Sequence, residues 1–135
     1  MKVPDLSVVS DSGVRDWQGT LEPLKSAAVH AKLKLARVDL GKARDKATLF
    51  AEIDRALGLP EHFGHNWDAL ADVLEDREWL GKQGRVVALQ KVAAFRKDHP
   101  KEYATLEEIL TEASEFWQER GVAFWVFLDG NAGTA

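Results

Sequence analysis

Apolar residues along this 135-residue chain occur in two patterns, helical spacing and short continuous or alternating runs. Runs at residues 33–40, 85–89 and 122–128 predict three strands, and the last run is apolar throughout. A strand that is apolar on both faces is typical of a parallel sheet covered on both sides. Segments with helical spacing separate the runs. We therefore predict an α/β fold, a small three-stranded parallel β-sheet covered by helices.

The helical segments carry recognisable start and stop signals. Thr20 predicts the start of a first helix that reaches about residue 32, and Asp45 predicts the N-cap of a second. Gly58 is placed to end that second helix in a left-handed cap, and Pro60 follows it. Thr105 and Glu108 have the spacing of a capping box, which predicts the start of the last helix there. Two further helices are predicted near residues 67–77 and 91–97.

The chain divides into three parts on this pattern. Residues 1–33 are expected to form an N-terminal extension with a possible edge strand and a helix. Residues 34–128 hold the predicted strands and most of the helices, as one domain of ordinary size. Residues 129–135 are predicted to be a flexible tail.

Composition narrows the class of protein. The chain is 45% apolar and 30% charged, and it has no cysteine, which excludes disulfides and thiolate metal sites. Pro4 and Asp5 interrupt the N-terminus, and no apolar stretch approaches the length of a membrane span, so we expect a cytoplasmic protein without a membrane partner. The net charge of −4 argues against a nucleic-acid partner, since phosphate binding needs clustered Lys and Arg.

Negative charge is concentrated in residues 61–80, which carry six carboxylates against one arginine. On a helix beginning at Trp67, Leu70, Ala71 and Leu74 fall within about 60° of that tryptophan. The carboxylates of that helix, Asp68, Asp72, Glu75 and Asp76, fall between about 80° and 180°. Asn66 predicts the N-cap, and Gly64 predicts a positive φ in the turn before it. The one-sided charge favours a face that binds a cationic protein surface, although a solvated helix face is the alternative interpretation.

The acidic arrangement costs stability. Asp72 has like-charged neighbours at Asp68 and Asp76, each pair unfavourable by about 0.2–0.5 kcal/mol. Carboxylates near a helix C-terminus also oppose the helix dipole. A sequence selected only for stability would tend to avoid this pattern, which again favours a binding role.

The same segment carries a family resemblance. The stretch that resembles the signature of the barstar family is Leu59-Pro60-Glu61-His62-Phe63-Gly64-His65-Asn66-Trp67-Asp68-Ala69-Leu70, followed by Asp72 and Leu74. In element order the resemblance runs from about Leu35 to Leu128. Members of the family inhibit small secreted ribonucleases of the barnase type by plugging the active-site cleft.

The resemblance implies a non-enzymatic inhibitor without cofactor or metal, a monomer when free, whose partner is a small basic extracellular-type ribonuclease or a nuclease toxin. Asp72 would stand in for a substrate phosphate, and Asp68 would supply a second carboxylate. The residues expected to contact the partner are His62, Gly64, Asn66, Trp67, Asp68, Ala71, Asp72, Glu75 and Asp76. The chain departs from the family's namesake where His62 replaces a tyrosine, His65 a glutamate and Ala71 an exposed tryptophan.

Two other interpretations stay open at this point. His62, His65 and Asp68 could bind a divalent metal in a hydrolase, because imidazole and carboxylate are suitable ligands. A module with the barstar fold could also bind a different protein partner, given the changes at His62 and Ala71.

Overall fold

The computed structural model of the protein describes residues 3–61 and 63–129. Its centre is a sheet of four parallel strands in the order β1-β4-β3-β2. The strands are β1 (Val14–Trp17), β2 (Lys34–Asp39), β3 (Arg85–Gln90) and β4 (Phe124–Asp129). The predicted α/β class with a parallel sheet is confirmed, but the predicted count of three strands is wrong.

The additional strand is β1, at the edge of the sheet beside β4. Only one of its four residues, Trp17, is fully buried. An edge strand with two exposed charged residues lacks the apolar run by which the other three strands were predicted. This pattern explains why the sequence alone did not place it.

In the part of the chain that the structure describes, six helices and two short 3₁₀ turns, at Val9–Asp11 and Leu40–Lys42, connect and cover the strands. The helices are α1 (Glu22–His30), α2 (Lys46–Leu57), α3 (Trp67–Leu74), α4 (Arg77–Leu80), α5 (Val92–Asp98) and α6 (Pro100–Glu119). Among the described residues, no helix is both long enough and apolar enough to cross a membrane.

Several helix boundaries follow the sequence signals. Asp45 caps α2 in a reciprocal capping box with Thr48, and Gly58 ends that helix with φ 61°. Two signals were wrong. The N-cap of α1 is Leu21 rather than Thr20. Thr105 lies inside α6, where its hydroxyl donates to the Lys101 carbonyl, because the helix already begins at Pro100.

The alternation of side chains along the sheet divides the core into two layers. Val87, Leu89 and Val126 face the layer formed by α2, α3 and α6. Val86, Trp125 and other residues of the opposite face pack against α1 and the N-terminal segment. Burial of β4 on both faces confirms the prediction made from its continuous apolar run.

Candidate protein-binding site

The turn that leads into α3 is fixed from below by aromatic packing. Phe63 is buried, and its ring lies 6.0 Å from the ring of Phe50 on α2. Its backbone N–H donates to the carbonyl of Pro60 at 2.9 Å. The turn is therefore anchored to the core one residue before it reaches the surface at Gly64.

The strained backbone conformation of this turn is at His65 rather than Gly64. His65 has φ 51°, and Gly64 is not among the glycines with positive φ, so the prediction for Gly64 was wrong. Space is the reason for a glycine there, since a Cβ would lie 3.1 Å from the Asn66 amide nitrogen. That distance is tighter than most Cβ contacts, so the Asn66 side chain would have to shift.

A second contact ties the turn to α2. The His65 Nε2 atom lies 3.1 Å from an Asp54 carboxylate oxygen, and the His65 ring lies 5.1 Å from that of Phe63. His65 thus helps to hold the turn, and its imidazole is directed towards α2.

Asn66 connects the turn to the helix. Its side-chain oxygen accepts the backbone N–H of Ala69 at 2.8 Å, which confirms it as the N-cap of α3. The Asn66 amide nitrogen also donates to the Gly64 carbonyl at 3.3 Å. One side chain therefore fixes both the last residues of the turn and the first turn of the helix.

Helix α3 separates an apolar face from an acidic one. Leu70, Val73 and Leu74 are buried, and the half-buried Trp67 packs 4.7 Å from the Phe50 ring. Ala71 is also half-buried. The core thus holds the helix along its whole length.

Asp68 and Asp72 lie on the opposite face, and both are exposed. Neither forms an ion pair with any of the described residues. A surface carboxylate without an ion-pair partner in its own protein stays hydrated until another molecule covers it and supplies an opposite charge. These two carboxylates are therefore available to a partner.

The acidic helix is shorter than predicted. It ends at Leu74, and the exposed Asp76 caps α4 by accepting the backbone N–H of Glu78 at 2.9 Å. A turn at residues 75–76 thus interrupts the predicted helix over 67–77. The carboxylate of Asp76 has a local structural role that those of Asp68 and Asp72 lack.

A shallow surface pocket of about 210 Å³ lies between the turn and α3. It is lined by Phe63, Gly64, Ala69, Asp72, Val73 and Asp76. Two carboxylates and an apolar lining suit a planar guanidinium, which combines charge with flat, weakly hydrated faces.

Comparison with known protein families matches residues 33–129 to the family described as "Barstar (barnase inhibitor)". The match spans more than half of the chain and includes the turn, α3 and strands β2 to β4. The chain belongs to the barstar family. No curated protein gives a significant match. Family membership supports a general inhibitor role but names no particular ribonuclease.

In this barstar-family chain, Glu75 differs from its acidic neighbours because it is half-buried. Its pKa is raised, first by burial and then by the nearby Glu112 carboxylate. Asp72 adds to the increase in the Glu75 pKa, whereas Arg120 opposes it. Glu75 therefore connects the acidic face of α3 electrostatically to the C-terminal end of α6.

The metal-site interpretation finds little support in the described residues. They include no group of three or more His, Asp or Glu side chains placed to bind one metal ion. His65 is directed to Asp54 on α2. His62, on which that interpretation and one predicted partner contact both depend, lies outside the described residues.

Sequence reasoning did not find the His65–Asp54 contact or the pocket beside Asp72. The contact joins residues 11 positions apart on different elements, and no sequence spacing predicts it. The pocket depends on the path of the turn over α3. That path includes the left-handed conformation of His65, which residues other than glycine adopt infrequently.

Proposed function

We propose that this chain inhibits a small basic ribonuclease, or a related nuclease toxin, by inserting residues 63–76 into its active-site cleft. These residues are called the acidic turn–helix segment below. The inhibitor covers the site that would bind RNA and does no chemistry of its own. Its family membership supports the general role, and the surface of the acidic turn–helix segment supports the specific mechanism.

The observation that carries the proposal is the exposure of Asp68 and Asp72, which have no ion-pair partner within residues 3–61 and 63–129. A cleft that binds RNA presents Arg, Lys and His to phosphate oxygens. A carboxylate offers two acceptor oxygens in a geometry that guanidinium groups also recognise. Asp72, at the edge of the pocket, is assigned the place of one phosphate, and Asp68 that of a second negative group.

Rigidity of the acidic turn–helix segment supports tight binding. Phe63 is buried under the turn, Asn66 caps the helix, and His65 contacts Asp54. Because these contacts already order the turn, binding requires little further loss of conformational entropy. The association free energy is then available for pairing Asp72 with cations of the partner.

The remaining predicted contacts have different weights in this proposal. Gly64 keeps the turn open beside the pocket, and Trp67 supports the helix from the core side. Ala71 is small and half-buried, so it adds little contact area. Glu75 and Asp76 extend the negative surface towards α4.

The direct test is a ribonuclease inhibition titration with barnase and other small secreted ribonucleases, comparing wild type with Asp72→Ala. Among enzymes that the wild type inhibits, Asp72→Ala should raise Kd at least about 100-fold, as expected when one partner of a buried ion pair is removed. Asp98→Ala is the matched control, because Asp98 is also exposed but lies at the end of α5. That control should inhibit as the wild type does.

Salt dependence gives an independent readout. Association with a cationic cleft should be fast at low ionic strength and slower as salt rises, while folding of the inhibitor changes little. Equal inhibition by wild type and Asp72→Ala would refute the assigned role of Asp72. Failure of the wild type to inhibit any of these enzymes would favour a different protein partner for the barstar fold.

A further inference from the structure

The acidic face of α3 borders the C-terminal end of α6. The indole N–H of Trp117 donates to the Leu74 carbonyl at 2.7 Å, which joins the two helices at this point. The guanidinium of the exposed Arg77 lies over the Trp117 ring at 5.3 Å. Any partner that covers Asp72 and Glu75 therefore comes close to residues 116–120.

Arg120 is held in a defined orientation at this border. Its guanidinium lies 3.5 Å from the centre of the Phe116 ring, and one of its N–H groups donates to the Phe116 carbonyl at 2.9 Å. Stacking on an aromatic face and a hydrogen bond together restrict a side chain that would otherwise be flexible. The charge is thus presented in one place.

Arg120 lies at the surface of the protein. It is exposed, and it forms no ion pair with any of the described residues. A guanidinium has five N–H donors, and here one of them is used by Phe116. The others are open to solvent and can donate to acceptors of a bound partner.

The same charge alters the field of the acidic face. Arg120 lies near enough to Glu75 to oppose the increase in its pKa that burial, Glu112 and Asp72 produce. The negative surface that begins at Asp68 therefore ends at a fixed positive charge. A partner surface that complements both charges must itself be positive opposite Asp68 and negative opposite Arg120.

We propose that Arg120, stacked on Phe116, is a specificity-determining residue of the inhibitory surface. It selects a nuclease that presents a carboxylate beside its cationic cleft, and it disfavours nucleases whose positive surface continues past the cleft. This inference rests on the proposed function, since it assumes that α3 occupies an RNA-binding cleft. The physical reason is that a guanidinium pairs with a carboxylate and is repelled by another cation.

The test measures binding of barnase, the ribonuclease named in the family description, to wild type, Arg120→Glu, Arg120→Gln and Lys101→Glu. Barnase serves as a probe with an RNA-binding surface. Lys101→Glu is the matched control because it makes the same charge change on the same helix, about 28 Å away along its axis. Circular dichroism and urea unfolding first establish that each variant is folded.

We expect Arg120→Glu to bind barnase at least about tenfold more tightly than Lys101→Glu, with Arg120→Gln between wild type and Arg120→Glu. If Arg120→Glu binds no better than Lys101→Glu, including the case in which neither binds, the inference is wrong. The intermediate position of Arg120→Gln guards against an effect caused by repulsion between the new glutamate and Glu75 or Glu112. A neutral variant with wild-type affinity would also count against the inference.

Adding Asp72→Ala to Arg120→Glu separates this inference from the proposed function. Loss of binding in the double variant supports the role of Asp72, whatever the effect of Arg120. A gain from Arg120→Glu that survives Asp72→Ala would support the specificity role but contradict insertion of Asp72 into the cleft. Loss with Asp72→Ala and no difference between Arg120→Glu and Lys101→Glu would leave the proposed function standing and overturn the inference.

Discussion

At the scale of single residues, Asn66 joins the turn to the helix within the acidic turn–helix segment. Its side chain caps α3 and also contacts the preceding turn through Gly64. We expect Asn66→Ala to lower the free energy of unfolding by about 0.5–2 kcal/mol, the usual cost of losing an N-cap. Urea denaturation measures this loss. Asn66→Asp, which retains a capping oxygen, should stay near the wild-type value.

Binding should respond to the same change. A frayed first turn displaces Asp68 and Asp72, so Asn66→Ala is also expected to weaken ribonuclease inhibition more than Asn66→Asp does. An Asn66→Ala chain with both wild-type stability and wild-type inhibition would contradict the role given to the cap.

The raised pKa of Glu75 predicts that the stability of the protein depends on pH. This pKa is higher in the folded chain, first because of burial and then because of Glu112. Between the ordinary pKa of 4.5 and this higher value, the folded state binds more protons than the unfolded state. Stability contributed by Glu75 therefore falls as pH rises through that window. At pH 7, Glu75→Gln should unfold at a higher urea concentration than wild type does. Near pH 4, where Glu75 is mostly protonated in both states, the variant and wild type should unfold at the same urea concentration.

Glu108→Gln is the control for that experiment, because it removes one exposed carboxylate from α6. It accounts for the general effect of a lower negative charge on the molecule. If Glu75→Gln and Glu108→Gln shift the unfolding midpoint equally at pH 7, the local cause assigned to Glu75 is incorrect.

At the scale of elements, local signals predicted those structures whose contacts are local. The caps at Asp45 and Asn66 were predicted because a capping side chain bonds to a backbone group three residues away. The start of α6 was missed because its N-cap residue, His99, forms no side-chain cap hydrogen bond, although Pro100 is a favoured residue in a first helical turn. A possible edge strand was expected within residues 1–33, but β1 could not be placed because only its pairing with β4 defines it.

In the acidic turn–helix segment too, features set by local contacts were predicted and features set by distant contacts were not. The amphipathic pattern located α3 and separated Asp72 from the buried face, as the structure has them. The end of α3 at Leu74 and the positive φ of His65 depend on packing against α6 and α2, respectively. Sequence reasoning therefore located the charges and the turn, but not the backbone conformation of the turn that orients them.

At the scale of the whole molecule, the N-terminal residues and the family region share one sheet. The family match begins at residue 33, whereas β1 pairs with β4 along Val14 to Trp17. The indole of Trp125 also donates to the Leu6 carbonyl at 3.0 Å, across almost the full length of the chain. Division of the chain at residue 33 stays a prediction about domains, but the second core layer spans that position.

This arrangement predicts that residues 33–135 do not form a stable monomer without residues 1–32. Deletion removes Leu6, Trp17 and Leu24, which cover Trp125 and Phe127 on the second face of the sheet. Several large apolar side chains would then form one exposed patch, a state that leads to unfolding or self-association. Urea denaturation and analytical ultracentrifugation of the shortened chain should show a loss of cooperative unfolding or the presence of oligomers.

A graded variant distinguishes this layer from a general effect of shortening the chain. Trp17→Ala keeps the full length but removes one side chain that is 3% exposed and packs 5.9 Å from the Phe127 ring. It should unfold cooperatively with a free energy lowered by about 3–5 kcal/mol, as expected for truncating a buried tryptophan. A shortened chain that remains monomeric and unfolds at the wild-type urea concentration would mean that the N-terminal layer adds no stability. The acidic turn–helix segment would then be independent of that layer. Because the two core layers share one sheet, we expect instead that loss of the N-terminal layer also destabilises the face on which this segment packs.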